Sequence, residues 1–247
     1  MKTNKTMALY DRIGINYSDL RKPDHRIEKS IWKEIGEAVR ILNIGAGAGS
    51  YEPKDPQVTA VEPSATMIAQ RPRDAAPVIQ ASAEELPFGD KEFDLAMAFL
   101  TVHHWGNLEE GLFEMRRVSR RQLIFTWDPT HPGFWLTQDY FPEILAIDQA
   151  IFPPFGEIEK ILGPLKRIPV SIPQDCTDGF GCAYWQRPEA YLLPEVRQAI
   201  STFAKIKETE TGVRTLQTDL DSGDWEARYG HLRKYDSLDL GYTLLVN

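Results

Sequence analysis

Three glycines at alternate positions, Gly45, Gly47 and Gly49 in ILNIGAGAGS (41–50), follow a short apolar run. Without side chains the backbone can turn sharply there and come close to a ligand, although a glycine run by itself is equally a tight turn. Glu62 ends the next apolar run in VTAVEPS (58–64). A carboxylate there can accept both hydroxyls of a ribose, as does the acid about 20 residues after the glycines in nucleotide-binding folds. The plain alternative is a solvated glutamate at a strand end. If Glu62 is a ribose ligand, its removal should cost binding and not stability. Ser82 and Glu84, with the Ala83 amide between them, follow PVIQ (77–80) and are placed to meet the edge of an adenine. The order is glycine loop, ribose acid, base contact, then a run ending in Phe99, Leu100 and Thr101. His103 and His104 come just after that run, where a neutral imidazole can take a proton from a hydroxyl or an amine. Packing is their competing role.

Such a set needs a frame that brings successive strand ends together. Ile27, Ile31 and Ile35 repeat at helical spacing behind Asp24, a suitable N-cap. The apolar run 39–44 then reads as a buried parallel strand, and similar runs occupy 57–61, 77–80, 93–99 and 122–127. A helix opens at Asn107, with Leu108, Leu112 and Met115 on one face, acids early and arginines late, as the helix dipole favours. Strand and helix in alternation mean right-handed crossovers and a parallel sheet, with ligands beyond the carboxyl ends of the strands. After Asp128 a stretch rich in proline and aromatic residues (129–144) begins a lobe or lid. A strand is expected near 167–172, a helix after Pro188 carrying Val196, Ile200 and Phe203 on one face, and a closing strand in 238–247.

Bulk properties narrow the function classes. The 247 residues can bury a full core, and 42% hydrophobic with 26% charged residues is ordinary for a globular enzyme. A net charge of -8 would repel a phosphate backbone, so nucleic acid is a poor partner. The basic run Arg116, Arg117, Arg120 and Arg121 straddles a helix end, where cations face the dipole. Cys176 and Cys182 lack the paired spacing of a zinc site and are expected as reduced thiols; no metal site is expected. No signal peptide or membrane span is legible, which predicts a cytoplasmic protein with no membrane partner.

From Tyr10 to Asp128 the chain resembles the class I S-adenosylmethionine-dependent methyltransferases, in particular the type 11 group that includes ubiquinone/menaquinone methyltransferase-like enzymes. The resemblance rests on the glycine motif, Glu62, AEELPFGDKEFD (83–94), the HHW step (103–105) and the EMRRV helix end (114–118). It implies an α/β fold: a Rossmann-like seven-stranded sheet, mostly parallel with an antiparallel last strand, helices on both faces and an aromatic-rich lid. One domain over 1–247 is implied, with cap helices in 1–37, a cofactor-binding half in 38–128 and an acceptor-side half in 129–247. S-adenosyl-L-methionine is the implied cofactor, S-adenosyl-L-homocysteine the product and a small organic molecule the methyl acceptor. The implied cofactor-binding residues are Tyr17, Arg21, Asn43, Gly45, Ala46, Gly47, Glu62, Pro63, Met67, Ser82, Ala83, Glu84, Phe99 and Leu100, with His103 and His104 as catalytic candidates. Tyr17 and Arg21 lie in a segment like the one that closes over the methionine end of the cofactor, where an arginine can pair with a carboxylate.

Three departures stand out. Asn43 occupies a position where the family has an acid, Ser82 one where an adenine-binding aspartate is common, and SRRQ (119–122) replaces a glycine turn before the fifth strand. For the acceptor pocket, His131, Phe134, Trp135, Tyr140, Tyr184, Trp185 and Tyr191 suggest an aromatic lining. Trp105 and Trp127 read as core before they read as cation-binding surfaces. Asp128, Asp175 and Asp178 are candidates to face the acceptor, against the common role of loop aspartates as turn caps. Two other readings remain: a non-catalytic module that binds S-adenosylmethionine, which the departures at Asn43 and Ser82 permit, and a nicotinamide-dependent oxidoreductase. The second conflicts with Ser50, which stands where GxGxxG calls for glycine or alanine.

Overall fold

The computed structural model describes residues 21–54 and 57–247. Helix α1 (His25–Ile35) buries Ile27, Ile31 and Ile35, the repeat expected of one apolar face. Asp24 caps it by accepting the Arg26 N–H at 3.0 Å. At its other end Arg121 donates to the Glu34 and Ile35 carbonyls, which have no partner within the helix.

Strands β1 (Arg40–Ile44), β2 (Gln57–Val61), β3 (Val78–Ile79), β4 (Phe93–Phe99) and β5 (Ser119–Trp127) pair in parallel. The second half of the chain adds β6 (Lys166–Pro169), a short ribbon of β7 (Ile172–Pro173) with β8 (Ser237–Leu238), and β9 (Tyr242–Val246). Because β9 runs antiparallel to both β5 and β6, it is the reversed strand of a seven-stranded sheet ordered β3-β2-β1-β4-β5-β9-β6. The strand order reverses about β1, which pairs with β2 on one side and β4 on the other, and a ligand crevice forms at such a switch point.

Both faces of the sheet are covered, so each strand splits its side chains between two cores. In β4, Leu95 and Met97 pack with α1 and the aromatic second half. Ala96 and Ala98 pack with α3 (Leu108–Val118) and α5 (Phe155–Leu162) through Leu112, Met115 and Ile158. Between β2 and β3, α2 (Ala65–Ala69) is capped by Ser64.

Two expectations fail. Residues 119–122 are not a turn: α3 passes directly into β5. Ser119 is buried, its Oγ donates to the Met115 carbonyl at 2.7 Å, and Gln122 Nε2 donates to that Oγ at 2.9 Å, so side-chain bonds take the place of glycine. The helix expected after Pro188 is three pieces, a 3-10 turn at Pro188–Leu192, α6 (Pro194–Gln198) and a 3-10 turn at Ser201–Lys205. Pro194 offers no N–H, and Leu193 before it is extended. Val196, Ile200 and Phe203 are nevertheless all buried.

Helices α4 (Pro142–Ile151), α7 (Glu210–Ser222) and α8 (Asp224–Tyr229), none anticipated, build the rest of the second half. Gly223 separates the last two in the left-handed conformation at φ +83°. Trp225 of α8 is fully buried and meets Trp135 edge-on at 5.4 Å. Among the described residues no helix is long and apolar enough to cross a membrane.

Gly111 shows how the fold shapes the site. A Cβ there would lie 2.5 Å from Trp105 Cε3, so α3 keeps glycine despite its helix penalty of about 1 kcal/mol relative to alanine. Gly111→Ala is expected to destabilise the protein by about 1–3 kcal/mol in urea titration, overpacking outweighing the gain in propensity.

Candidate active site

The carboxyl ends of β1, β2, β3 and β4 surround one cavity of about 140 Å³. Gly45 turns into it at φ +66°, and a Cβ there would sit 2.2 Å from Thr101 Oγ1, so only glycine lets the loop lie against the end of β4. Gly47 follows at φ +53°. Glu62, 7% exposed at the end of β2, accepts the Gly47 N–H at 2.8 Å and the Ser64 N–H at 2.9 Å. Burial raises its pKa, and those two hydrogen bonds and Arg71 oppose the rise. The expectation that Glu62 matters little to stability therefore does not hold, since its removal leaves two backbone donors unpaired.

Beyond β3, the strand next to β2, Ser82, Ala83 and Glu84 also line the cavity, with one Glu84 oxygen taken by the Asn107 N–H at 3.0 Å. Ala46, Pro63 and Met67 flank the glycine loop; Asn43, Phe99, Leu100 and Arg21 close the inner side. Of the predicted cofactor set only Tyr17 is not placed here, because it lies outside the described residues.

Behind the loop lies a buried network that the sequence did not reveal. Glu52 and Arg71 form an ion pair at 2.8 Å, their side chains 6% and 4% exposed. Arg71 also donates to the carbonyls of Gly47 at 3.2 Å and Ala76 at 3.0 Å, while Asn43 Nδ2 donates to Glu52 Oε1 at 2.9 Å. An aspartate at 43 would set two carboxylates side by side, so the amide suits a position whose neighbour, Glu52, already carries the acid. Asn43 Oδ1 is buried, and among the described residues it has no hydrogen-bond partner.

A second link joins the loop to the other half of the chain. Asp178 accepts Arg21 Nε at 2.5 Å and the Tyr51 hydroxyl at 2.7 Å. Tyr51 and Leu100, both lining the cavity, have φ of +66° and +51°, a conformation non-glycine residues adopt at some energetic cost.

A further cavity of about 80 Å³ meets the first at Arg21, Leu100 and His104, each of which lines both. His103 lines only the second, its ring 3.8 Å from those of His104 and Phe152 and stacked on the latter. Burial holds both imidazoles neutral, with His104 lowered to about 3.

The aromatic lining differs from the expected one. Trp127, Phe134, Phe152, Phe180, Phe203 and Tyr242 face the cavity, so of the anticipated seven only Phe134 does. Trp135, Tyr140, Trp185 and Tyr191 are core: Trp135 packs edge-on against Tyr191 and Trp225, and Trp185 Nε1 donates to the Ile172 carbonyl. His131 accepts the Gly133 N–H, and Tyr184 packs on Tyr191. None of the three candidate aspartates lines either cavity. Asp128 caps its own turn through Thr130, Asp175 pairs with Arg26 at the surface, and Asp178 holds Arg21. Instead Asp148, which the sequence did not single out, lines the second cavity. Among the described residues no cluster of His, Cys, Asp or Glu is arranged to hold a metal ion.

Two measurements follow from these surroundings. Arg71→Met should destabilise the protein by about 3–5 kcal/mol, because it strands a buried Glu52, and adding Glu52→Gln should recover part of that loss in a double-mutant cycle. Imidazole signals of His103 and His104 should stay flat in NMR titration from pH 5 to 8. Their depressed folded-state pKa values mean that stability is lost as pH falls below about 6.5, where the unfolded imidazoles take up protons.

Comparison with known proteins bears on this geometry. The Methyltransf_11 family model, described as a methyltransferase domain, matches residues 42–125. A crystal structure described as a candidate methyltransferase from an antibiotic biosynthesis pathway of Anabaena variabilis superposes with a TM-score of 0.86 at 34% identity, covering 93% of this chain and 99% of that one. The uncharacterised protein MJ1252 of Methanocaldococcus jannaschii is 33% identical over 121 residues, 47% of this chain and 48% of its own length. The uncharacterised methyltransferase YcgJ of Bacillus subtilis is 26% identical over 123 residues, 45% of each chain. The chain thus spans about half the length of the curated relatives it matches. A near-complete match at this identity, over a sheet of this order and a glycine-loop cavity at its switch point, decides the family: the chain belongs to the class I S-adenosylmethionine-dependent methyltransferases, in the type 11 group with ubiquinone/menaquinone methyltransferase-like members.

Proposed function

We propose that this chain binds S-adenosylmethionine in the first cavity and transfers its methyl group to a small organic acceptor in the second, leaving S-adenosylhomocysteine. The observation that carries the reading is the meeting of the two cavities at Arg21, Leu100 and His104. A transfer between two bound molecules needs such a shared wall.

The residues present fit the nucleoside. Glu62 offers a buried carboxylate at the end of β2, the place for a ribose diol. Ser82, the Ala83 amide and Glu84 offer polar groups for an adenine edge. Asn43 Oδ1, buried and without a hydrogen-bond partner among the described residues, is an acceptor to which the ammonium of a methionine moiety could donate. Arg21, held in place by Asp178, is the cation on that side. Gly45, Ala46 and Gly47 leave room for close approach, with Pro63, Met67, Phe99 and Leu100 as apolar walls.

When bound, the cofactor supplies an electrophilic methyl group on a sulfonium. The protein's part is to orient and to exclude water, and orientation alone can contribute on the order of 7 kcal/mol. His103 and His104 add no positive charge beside a sulfonium, because burial keeps them neutral. The same desolvation makes His104 a weak base, so its proposed task is to orient the acceptor by a hydrogen bond.

Glu62→Ala is expected to abolish calorimetric binding of S-adenosylhomocysteine in protein that circular dichroism shows to be folded, and to lower stability by about 1–3 kcal/mol as two N–H groups lose their acceptor. Parent-like binding by that variant contradicts the assignment. Tight binding by the parent with no product across a broad acceptor panel would make the chain a binding module.

A further inference from the structure

Two of the buried polar atoms that lack a hydrogen-bond partner among the described residues belong to side chains lining the first cavity. Asn43 Oδ1, an acceptor, lies by the glycine loop, and Trp105 Nε1, a donor, lies past the end of β4. The methionine ammonium gives the first a partner. Trp105 Nε1 has no such assignment.

An idle indole is uncommon in this fold. Of the six tryptophans, four donate Nε1 to a backbone carbonyl at 2.8–3.1 Å: Trp32 to Tyr51, Trp127 to Leu240, Trp135 to Trp185 and Trp185 to Ile172. Trp225 also lacks a partner, but it is fully buried core and lines neither cavity. Trp105 differs in standing at a cavity wall. A buried donor without an acceptor is destabilising, and an indole N–H, which cannot accept, is relieved only by an acceptor.

The surroundings of the ring fix where that acceptor lies. A Cβ on Gly111 would sit 2.5 Å from Cε3 and 3.0 Å from Cζ3, so α3 packs against that edge of the indole. Nε1 belongs to the opposite edge, turned from the helix. The Trp105 N–H donates to the Val102 carbonyl at 3.3 Å, and two residues on the Asn107 N–H is bonded to Glu84 at 3.0 Å. The ring also packs against the apolar cluster that contains Ala83. Trp105 therefore stands beside Ser82, Ala83 and Glu84, at the base end of the first cavity, and does not line the second.

An indole N–H lies in the plane of its ring and asks for a lone pair directed along that line. The ribose hydroxyls belong at Glu62, on the end of β2. An adenine offers ring nitrogens N1, N3 and N7, each with an in-plane lone pair. A site built to hydrogen-bond one group of a ligand rejects the analogue lacking it, because a buried partner is then left unpaired.

We propose that the Trp105 indole N–H donates to a ring nitrogen of the cofactor's adenine, which makes Trp105 a specificity-determining residue for the base. This rests on the reading of the first cavity as the S-adenosylmethionine site, and extends it to a side chain whose sequence context reads as core.

Calorimetric titration of the full chain with S-adenosylhomocysteine and with its 1-deaza, 3-deaza and 7-deaza analogues tests this, since each analogue replaces one ring nitrogen by C–H. Trp105→Phe is expected to weaken S-adenosylhomocysteine about tenfold, the scale of one hydrogen bond to a buried donor. It should weaken two of the analogues equally and leave the third within about twofold of its affinity for the parent protein, because that analogue has already lost the bond. A loss of packing alone would instead weaken all four ligands alike. Should Trp105→Phe not fold, 3-benzothienylalanine at position 105 keeps the bicyclic shape without the N–H and replaces it in the series. In the parent protein the indole N–H resonance of Trp105 should move downfield on saturation with S-adenosylhomocysteine. Equal weakening of all four ligands, unchanged affinity for S-adenosylhomocysteine in the variant, or an indole resonance that stays in place each overturns the proposal. The two readings fail distinguishably. No heat with S-adenosylhomocysteine in the parent removes the cofactor assignment and this inference with it, whereas normal heat with equal weakening of all four removes only the role of Trp105.

Discussion

The Glu62 carboxylate holds the glycine loop of this chain over the end of its second strand. It accepts one N–H from Gly47 and one from Ser64, fixing the distance between the tips of β1 and β2 and starting α2 at the same point. Everything else in the first cavity is arranged around that tether. Gly45 lies against Thr101 at the end of β4, Ser82 to Glu84 close the far side, and the Glu52–Arg71 pair grips the Gly47 carbonyl from behind. One buried carboxylate thus holds two strand tips together and lines the cavity between them.

The first half of the chain was largely legible because its signals are local. Strand ends are marked by glycine or by an acid, isoleucines repeat at helical spacing in α1, and Asn107 caps α3 as expected. Ligands bind beyond the ends of parallel strands, so the order of polar clusters along the sequence becomes their order around one cavity. All the described residues of the expected cofactor set line that cavity.

What the sequence concealed is tertiary. Glu52 and Arg71 look like ordinary surface charges, and their burial is visible only in the tertiary structure, where they pair behind the glycine loop. Asp148 lies on α4, a helix with no clear amphipathic period, and lines the second cavity together with Phe152, one turn on, whose ring stacks against His103. The ring-lined wall draws on β5, the loop before α4, the 3-10 segment near Phe203 and β9, so no window of sequence contains it. Residues such as Trp135, Trp185 and Tyr191 satisfied a compositional reading of the pocket but pack with one another and with Trp225 as core. The turn expected at 119–122 is likewise replaced by hydrogen bonds between side chains of Ser119 and Gln122.

The two halves are joined through Asp178, which binds Arg21 and Tyr51 together. Tyr51 and Leu100 hold left-handed backbone conformations beside the cavity, and such strain persists only where surrounding contacts enforce it. The most direct measurement of the account is a crystal structure of the protein with S-adenosylhomocysteine. It should show the adenosyl group between Gly47, Glu62 and Ser82, with the sulfur turned toward the wall shared through His104. Nucleoside density in the second cavity, or none at the strand ends in crystals grown with saturating ligand, would contradict it.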